Sequence, residues 1–167
     1  DPRISVIRHE ANLGLVAGLN SGLAHARGHL VARLDADDIC EKNRLQAQVQ
    51  YLTANPGVSV VGSAVEVFYE STEHKQSKTI VLPAHPALVR WSMFFFCSLA
   101  HPSVMAKKTT FEAVGGYKAN FPDCEDFDLW MRLLWPFSSN DNTITFDSHV
   151  LCNLEQVFVK LRKHGNN

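Results

Sequence analysis

An apolar stretch that ends abruptly in carboxylates constrains this chain more than any other feature. Residues 30–34 have the composition of a buried strand, and Asp35, Asp37 and Asp38 follow directly. Carboxylates at the tip of such a strand resist burial unless a cation meets them. In an open α/β sheet, ligands bind at the carboxyl ends of the strands. Hard oxygen donors two residues apart suit Mg²⁺ or Mn²⁺ carrying a phosphorylated substrate. The alternative is a loop that is merely acidic.

Composition narrows the class of protein. The chain has 167 residues, of which 46% are hydrophobic and 20% charged, as expected for one globular domain. Sixteen Lys and Arg residues against 17 Asp and Glu give a net charge of -1, which argues against nucleic acid as a partner. The four cysteines form no C-x-x-C pair, and no signal-peptide or membrane-spanning pattern is found. These observations favour a reducing, cytoplasmic setting.

Short apolar runs alternate with helical patterns along the chain. This alternation predicts an α/β fold with a mostly parallel sheet flanked by helices. The expected strands are residues 4–7, 30–34, 58–68, 103–106 and 157–161, and the segments 70–79 and 138–142 are expected to be loops.

Helices are expected where apolar residues recur at helical spacing. They cover residues 15–26, 45–52, 88–95, 109–114 and 126–135. Leu45, Val49 and Leu52 are predicted to form one buried face, as are Leu88, Trp91 and Phe95. Gly28 is expected to be a C-cap, and Thr109 with Glu112 resembles a capping box.

Eight short motifs occur in order along the chain, and together they resemble glycosyltransferase family 2. One D-x-D motif is weak evidence, whereas eight ordered motifs at compatible spacing are specific. The motifs are Asn12-Leu13-Gly14, Asn20-Ser21-Gly22-Leu23, Ala26-Arg27-Gly28, Asp35-Ala36-Asp37-Asp38, His101-Pro102-Ser103-Val104-Met105, Val114-Gly115-Gly116-Tyr117, Glu125-Asp126-Phe127-Asp128-Leu129-Trp130 and Arg162-Lys163-His164.

The resemblance implies a GT-A (Rossmann-like) fold and an inverting, metal-dependent transfer. The donor would be a nucleotide-diphosphate sugar, a UDP-sugar first among them. A hexosyl or N-acetylhexosaminyl group would pass to a glycan, lipid-linked or other hydroxyl acceptor. The family pattern places Asp35 near the ribose and Asp37 on a Mn²⁺ or Mg²⁺ ion, with Asp35 and His164 as further candidate metal ligands. It also assigns Asn12, Gly14 and His101 to the nucleotide-sugar site.

The pair Glu125 and Asp126 matches the catalytic carboxylates of the family, with Asp126 as the general base. Because Asp126 opens a helix, the macrodipole should favour its ionised form and lower its basicity, unless burial acts in the opposite direction. The alternative is a carboxylate that only stabilises the start of the helix. Trp130 could stack on a sugar ring, whereas the aromatic residues Trp91, Phe94, Phe95 and Phe96 are expected to be core.

The chain departs from the family at its start. The usual N-terminal strand–helix–strand segment, which reads the base, has no counterpart before residue 4. We therefore interpret residues 1–167 as a single, N-terminally incomplete glycosyltransferase family 2 catalytic domain. An unpaired strand edge would favour self-association unless that segment completes the sheet.

Two other functions remain open on the sequence. One is a truncated GT-A-like domain that binds without turnover. The other is a D-x-D phosphotransferase of the haloacid dehalogenase type, which prefers Thr or Val where Ile39 stands. A cytoplasmic location is expected, either free or at the cytoplasmic face of a membrane through parts outside this chain.

Overall fold

The computed structural model describes residues 1–69, 77–121, 123–138, 143–144 and 149–164. Its helices are α1 (Leu15–His25), α2 (Arg44–Ala54), α3 (Pro86–Ser92), α4 (Lys108–Ala113) and α5 (Glu125–Leu134), with a 3₁₀ turn at His101–Ser103. Its strands are β1 (Leu30–Ala32), β2 (Ile39–Cys40), β3 (Val58–Tyr69), β4 (Ser77–Ile80), β5 (Met105–Lys107), β6 (Phe137–Ser138), β7 (Thr143–Ile144) and β8 (Val150–Lys163). Within the described residues, each helix is too short or too polar to cross a bilayer.

One six-stranded sheet organises the fold. Its order is β1-β5-β3-β8-β2, and β4 pairs with β3 outside this path. The predicted α/β class is confirmed, but the strand directions differ from the prediction. Only β3 and β8 pair in parallel, whereas the other described pairings in this sheet are antiparallel. The parallel pair requires a long crossover, while β4 follows β3 after a short connection and can only return antiparallel.

The two faces of the central strand β3 lie in different parts of the core. Val60 belongs to a cluster with Leu129, Trp130 and Leu133 of α5. Its neighbour Val61 belongs to a second cluster with Leu52 of α2. Since successive side chains of a strand point to opposite faces, the sheet is packed between helices on both sides.

Helix α2 buries a different face from the one predicted. Arg44, Gln48 and Leu52 are buried, whereas Leu45 and Val49 are exposed. Arg44, Gln48 and Leu52 also recur at a spacing of four, so they line one side of the helix. Two polar residues can occupy this buried face because their donors find acceptors there, as buried polar groups require.

Gln48 joins α2 to the sheet through backbone carbonyls. Its Nε2 donates to the carbonyls of Val61 (3.1 Å) and Ser103 (2.8 Å). Its Oε1 accepts from Nε of Arg44 at 3.0 Å. The Gln48 side chain is completely buried, and both its amide nitrogen and its amide oxygen have hydrogen-bond partners.

Helix α3 is likewise turned relative to the prediction. Val89 and Ser92 face the interior, while Leu88, Trp91 and Phe95 are exposed. Phe94 and Phe96 are exposed as well, so the expectation that these aromatic residues form core is wrong. The interior side of α3 is already filled by Val89 and Met93, which leaves the second apolar side outside.

Several local expectations also change. Residues 4–7 form no strand, because nothing in the described part of the chain pairs with them, and Ile4 and Val6 are exposed. β1 is shorter than residues 30–34 and only partly buried. The C-cap of α1 is Ala26 rather than Gly28. Helix α4 already begins at Lys108 and has no side-chain cap bond, so the Thr109 capping box is wrong.

Other elements agree with the prediction or exceed it. The strand expected at 58–68 and the helix expected at 126–135 are confirmed as β3 and α5, and β8 extends well beyond residues 157–161. Part of the loop expected at 70–79 is strand β4, while residues 70–76 lie outside the described residues. Of the loop expected at 138–142, Ser138 belongs to β6 and residues 139–142 lie outside the described residues.

The substitution Gln48→Leu tests the polar face of α2. It removes the donors to Val61 and Ser103 and leaves Arg44 Nε without its acceptor. We expect the free energy of unfolding in urea to fall by about 2–4 kcal/mol. Leu45→Gln on the exposed side of the same helix is the matched control and should change it by less than about 0.5 kcal/mol. A larger loss for Leu45→Gln would restore the originally predicted face.

Candidate functional site

The acidic turn lies between β1 and β2. Hydrogen bonds fix the backbone of Arg33, the residue that leads into this turn, from two sides. The backbone N–H of Arg33 donates to the carbonyl of Val104 at 3.0 Å. The carbonyl of Arg33 accepts from Nη2 of the buried Arg44 at 2.7 Å. Within the turn, the N–H of Asp38 donates to the carbonyl of Asp35 at 3.3 Å. The backbone leading into the D-x-D motif is therefore fixed by α2 and by the segment before β5.

Asp35 is paired with a cation from its own strand. Both carboxylate oxygens accept from the guanidinium of Arg33, with Nη1 to Oδ2 at 2.6 Å and a second bond from Nη2 to Oδ1. The Arg33 side chain is only 11% exposed. A bidentate pair of this kind fixes both charge and orientation. Arg33 thus neutralises the charge of Asp35. The side-chain hydrogen bonds of Asp35 go to Arg33 rather than to Asp37 or His164, the other predicted metal ligands.

Asp37 lies beside His164, which is 127 positions later in the sequence. Oδ2 of Asp37 and Nε2 of His164 are 3.1 Å apart, and their side chains are 49% and 62% exposed. The hydrogen bond with His164 is the main reason why the pKa of Asp37 is lowered. Two of the predicted metal ligands therefore lie side by side, and both are exposed to solvent.

Arg162 attaches the acidic turn to the end of β8. Its Nε donates to the carbonyl of Asp37 at 2.9 Å, and its backbone N–H donates to Oδ1 of Asp38 at 3.0 Å. Burial raises the pKa of Asp38, in spite of this hydrogen bond. Asp38 therefore stabilises the turn, whereas the Asp37 carboxylate is exposed to solvent beside His164.

A divalent ion fits Asp37 and His164 but requires further ligands. The described residues contain no group of three His, Cys, Asp or Glu side chains arranged to hold a metal. Mg²⁺ and Mn²⁺ sites that carry nucleotides commonly take only one or two protein ligands, and phosphates and water supply the rest. An adjacent, exposed carboxylate and imidazole match this type of site.

Asp126 opens α5 in a partly buried position. Its Oδ1 accepts from the N–H of Phe127 at 2.7 Å, and its Oδ2 lies 3.9 Å from Sγ of Cys97. Burial raises the pKa of Asp126 and outweighs the hydrogen bond from Phe127, while the charge of neighbouring Glu125 raises it further. Burial therefore outweighs the effect of the helix terminus on the pKa of Asp126.

Burial also raises the pKa of Cys97, to about 12. The thiol therefore stays protonated, and its Sγ lies 3.3 Å from the carbonyl of Leu99. A protonated thiol can donate weakly to a carboxylate such as Asp126.

His101 lies in the interior rather than on an open surface. Its Nε2 is 2.8 Å from Oη of Tyr117. The ring centroids of His101 and Trp130 are 6.0 Å apart in a T-shaped arrangement. Burial lowers the pKa of His101 to about 3, with a smaller contribution from the charge of Arg33. His101 is therefore neutral near pH 7. Trp130 is fully buried, so it does not offer a face for a sugar.

Asn12 and Gly14 form the entry to α1. The N–H of Gly14 donates to Oδ1 of Asn12 at 2.9 Å, and Gly14 has a φ of 80°, which favours glycine. A cleft of about 440 Å³ lies between α1 and β1. Arg33 and Asp35 line one part of this cleft, and Tyr117 lines another.

Sequence reasoning missed Arg33, Tyr117 and Cys97 as members of this site. Arg33 could have been found, because residues two apart in an extended chain share a face and Arg33 precedes Asp35 by two. The contact of Tyr117 with His101 and that of Cys97 with Asp126 join distant segments, so no local spacing indicates them.

The structure thus combines an α/β fold with an acidic turn at one strand end and a partly buried carboxylate at a helix start. The profile of the glycosyl transferase family 2 matches residues 1–115. The chain belongs to glycosyltransferase family 2. This membership argues against the phosphotransferase alternative.

Named relatives and a solved structure agree with the family. The bifunctional glycosyltransferase pgtA of Dictyostelium discoideum is 27% identical over 99% of this chain and 24% of its own length. The amylovoran biosynthesis glycosyltransferase AmsE of Erwinia amylovora is 29% identical over 94% and 53%. The UDP-Gal:alpha-D-GlcNAc-diphosphoundecaprenol beta-1,3-galactosyltransferase of Escherichia coli is 31% identical over 92% and 50%.

The structure of the mannosyltransferase PcManGT from Pyrobaculum calidifontis, in complex with GDP-Man and Mn²⁺, resembles the fold with a TM-score of 0.53. It is 17% identical and covers 89% of this chain and 38% of its own. This likeness confirms the GT-A fold. The chain spans about half the length, or less, of these relatives.

The raised pKa of Asp126 predicts a pH-dependent effect on stability. Because the carboxylate is disfavoured in the folded state, Asp126→Asn should raise the free energy of unfolding at pH 7. The gain should vanish below about pH 4, where the unfolded carboxyl is also protonated. Chemical denaturation between pH 3 and 8 measures it. Asp128→Asn, which breaks a pair with Arg132, should instead destabilise at pH 7. A loss of stability at pH 7 for Asp126→Asn would contradict the assignment.

Proposed function

We propose that this chain contains the donor-binding and catalytic centre of a metal-dependent, inverting glycosyltransferase. It transfers a hexosyl or N-acetylhexosaminyl group from a nucleotide-diphosphate sugar to a hydroxyl of a glycan or lipid-linked acceptor. The observation that carries the proposal is the position of Arg33. Its guanidinium binds Asp35 of the D-x-D turn, and its charge also acts on Asp126 and His101. The charge of Arg33 therefore acts both on the acidic turn and on the candidate base.

Asp37 and His164 are the residues that would hold Mn²⁺ or Mg²⁺. Both side chains are exposed at the end of the acidic turn, and the low pKa of Asp37 keeps it ionised. A divalent ion held by these two residues would supply positive charge to stabilise the departing nucleoside diphosphate. The complex of the mannosyltransferase PcManGT with Mn²⁺ supports a metal of this kind.

Asp35 and Arg33 would serve the donor rather than the metal. The guanidinium occupies both Asp35 oxygens, so this pair presents a neutral, directed set of hydrogen-bonding groups beside the cleft between α1 and β1. Asn12 and Gly14 directly precede α1, whose residues line this cleft, and would shape the donor site. His101 would support it from behind, since it is buried and held by Tyr117.

Asp126 would act as the general base on the acceptor hydroxyl. In-line attack requires a carboxylate close to that hydroxyl, and a raised pKa makes the carboxylate a stronger base. Burial supplies this effect, and Glu125 strengthens it through its charge. Cys97 limits the orientations of the carboxylate by contact with Oδ2.

The donor and acceptor classes are suggested by the relatives. The name of the Escherichia coli relative specifies UDP-Gal and a diphosphoundecaprenol-linked acceptor, whereas PcManGT was solved with GDP-Man. A diphosphate-linked sugar is common to both. We therefore propose a nucleotide-diphosphate sugar with UDP-sugars as the first choice, and a glycan or lipid-linked acceptor.

Replacement of Asp37 tests the metal site. Asp37→Asn removes the charge that a divalent ion requires, so Mn²⁺-dependent binding of UDP or GDP should weaken by at least ~10-fold in calorimetry. Glu155→Gln, an exposed carboxylate of β8, is the matched control and should bind as the parent does. Equal affinity of Asp37→Asn and the parent protein would exclude Asp37 as the main ligand.

Replacement of Asp126 tests the base. Asp126→Asn should reduce turnover of radiolabelled nucleotide sugars by at least ~10²-fold, the usual contribution of a general base. Donor affinity should stay within about twofold, because Asp126 lies on the acceptor side in this proposal. A variant that keeps most of its turnover would place the base elsewhere.

A further inference from the structure

A cleft with cationic walls lies at the start of β1, away from the acidic turn. It has a volume of about 550 Å³, and three cationic side chains line it, namely those of Arg27, Lys107 and Lys108. Glu112 is the one carboxylate among the described lining residues. We call this space the basic cleft. It shares no lining residue with the cleft between α1 and β1, and the acidic turn follows the opposite end of β1.

Hydrogen bonds fix the walls of the basic cleft relative to each other. The backbone N–H of Lys108 donates to the carbonyl of His29 at 2.8 Å, and its Nζ donates to that of Ala26, also at 2.8 Å. Nζ of Lys107 donates to the carbonyl of Pro56 at 2.5 Å. A lysine ammonium has three N–H donors, and a carbonyl that accepts from one of them does not cancel its charge. The two ammonium groups are therefore held in place while their charge remains.

The turn Arg27-Gly28-His29 carries donors that the rest of the described chain does not use. The Arg27 and His29 side chains are exposed, and neither has a hydrogen bond or an ion pair within the described residues. The backbone N–H groups of the three residues likewise have no hydrogen-bond partner there. A guanidinium presents a fork of donors that matches a phosphate group, and unpaired backbone N–H groups in turns also bind anions. The turn is therefore available to a ligand from solvent.

Glu112 offsets the positive charge of the basic cleft only in part. Its Oε1 lies 3.7 Å from Nζ of Lys108, which is longer than a hydrogen bond, and 59% of its side chain is exposed. An exposed ion pair of this kind contributes little to stability and is readily rearranged. One carboxylate also faces three cationic side chains, so the basic cleft is positive overall.

The lining of the basic cleft indicates the class of anion that it suits. Among the described residues that line it, Leu30 alone has an aliphatic side chain, and Trp, Tyr and Phe are absent. A nucleobase or an acyl chain would therefore find little apolar or aromatic surface. Thr109 adds a hydroxyl to the guanidinium of Arg27, and both groups commonly bind phosphate oxygens. Several separated cations favour a ligand that carries more than one negative charge.

We propose that the basic cleft binds a small, soluble phosphate compound with two or more negative charges, such as inorganic diphosphate. The oxyanion lies between the Arg27-Gly28-His29 turn and the ammonium groups of Lys107 and Lys108. Protein cations supply the positive charge, so this site needs no divalent metal. It goes beyond the proposed function, in which a metal would hold the donor at the other end of β1, and either site can fail without the other.

Calorimetry with inorganic diphosphate in EDTA tests this site in the full chain. Arg27→Gln should weaken binding at least ~5-fold, because it removes a guanidinium that has no partner within the described structure. Glu112→Gln should instead tighten binding at least ~3-fold, since it removes the negative charge that competes with the ligand. Arg8→Gln replaces an exposed arginine outside the cleft and is the matched control, which should bind as the parent does.

Amide NMR locates the ligand without any variant. In EDTA, diphosphate should shift the amide signals of residues 27–29 and Lys108, whereas those of Asp35 and Asp37 should stay in place. UDP should bind no more tightly than diphosphate, because the basic cleft has no surface for a base. Absence of binding, shifts confined to the acidic turn, or equal affinity of Arg27→Gln and the parent would overturn the proposal. Unchanged diphosphate binding by Asp37→Asn in EDTA would support it, whatever that variant does to Mn²⁺-dependent binding of UDP.

Discussion

The parallel pairing of β3 with β8 is the interaction on which the rest of this structure depends. It runs from Val58 beside Val150 to Tyr69 beside Lys163, with a bulge near Ser63. Parallel strands have to be joined by a long crossover, and here that crossover contains α3, α4 and α5. The same pairing carries the end of β8 to the acidic turn, where His164 meets Asp37 and Arg162 binds the turn backbone.

A second constraint is the buried polar contact between α2 and the sheet. Arg44 donates to the carbonyls of Arg33 and Val104, and Gln48 donates to those of Val61 and Ser103. Burial disfavours the charged guanidinium and therefore lowers the pKa of Arg44. The hydrogen bonds of its donors offset the cost of burying this charge. These bonds hold the strand that ends in the D-x-D motif at a fixed distance from the His101 turn. Fixed supports of this kind are what a site needs to keep its charged groups in place.

The site itself divides its charges between an open side and a protected side. Asp37 and His164 are accessible to solvent, which the proposed contacts with a metal and a diphosphate require. Asp126 and His101 are protected, so burial raises the pKa of the carboxyl and lowers that of the imidazole. Arg33 is close enough for its charge to lower the pKa of Asp38 in the acidic turn and those of Asp126 and His101. Burial favours the neutral form of both groups, and perturbed pKa values of this kind cluster at functional sites.

The sequence by itself determined the class of this fold, the order of its main elements and the residues of the acidic turn. Period and composition are local properties, so β3, α1 and α5 could be predicted from their own residues. The family motifs likewise indicated Asp37, His164 and Asp126 as candidate site residues without any knowledge of their distances. Tertiary structure alone decided which side of a helix faces the core. For α2 it buried Arg44 and Gln48 because backbone carbonyls were available there, and for α3 it left Trp91 and Phe95 outside because Val89 and Met93 already filled the core. It also decided the pKa of Asp126, because burial depends on long-range packing that no local pattern contains.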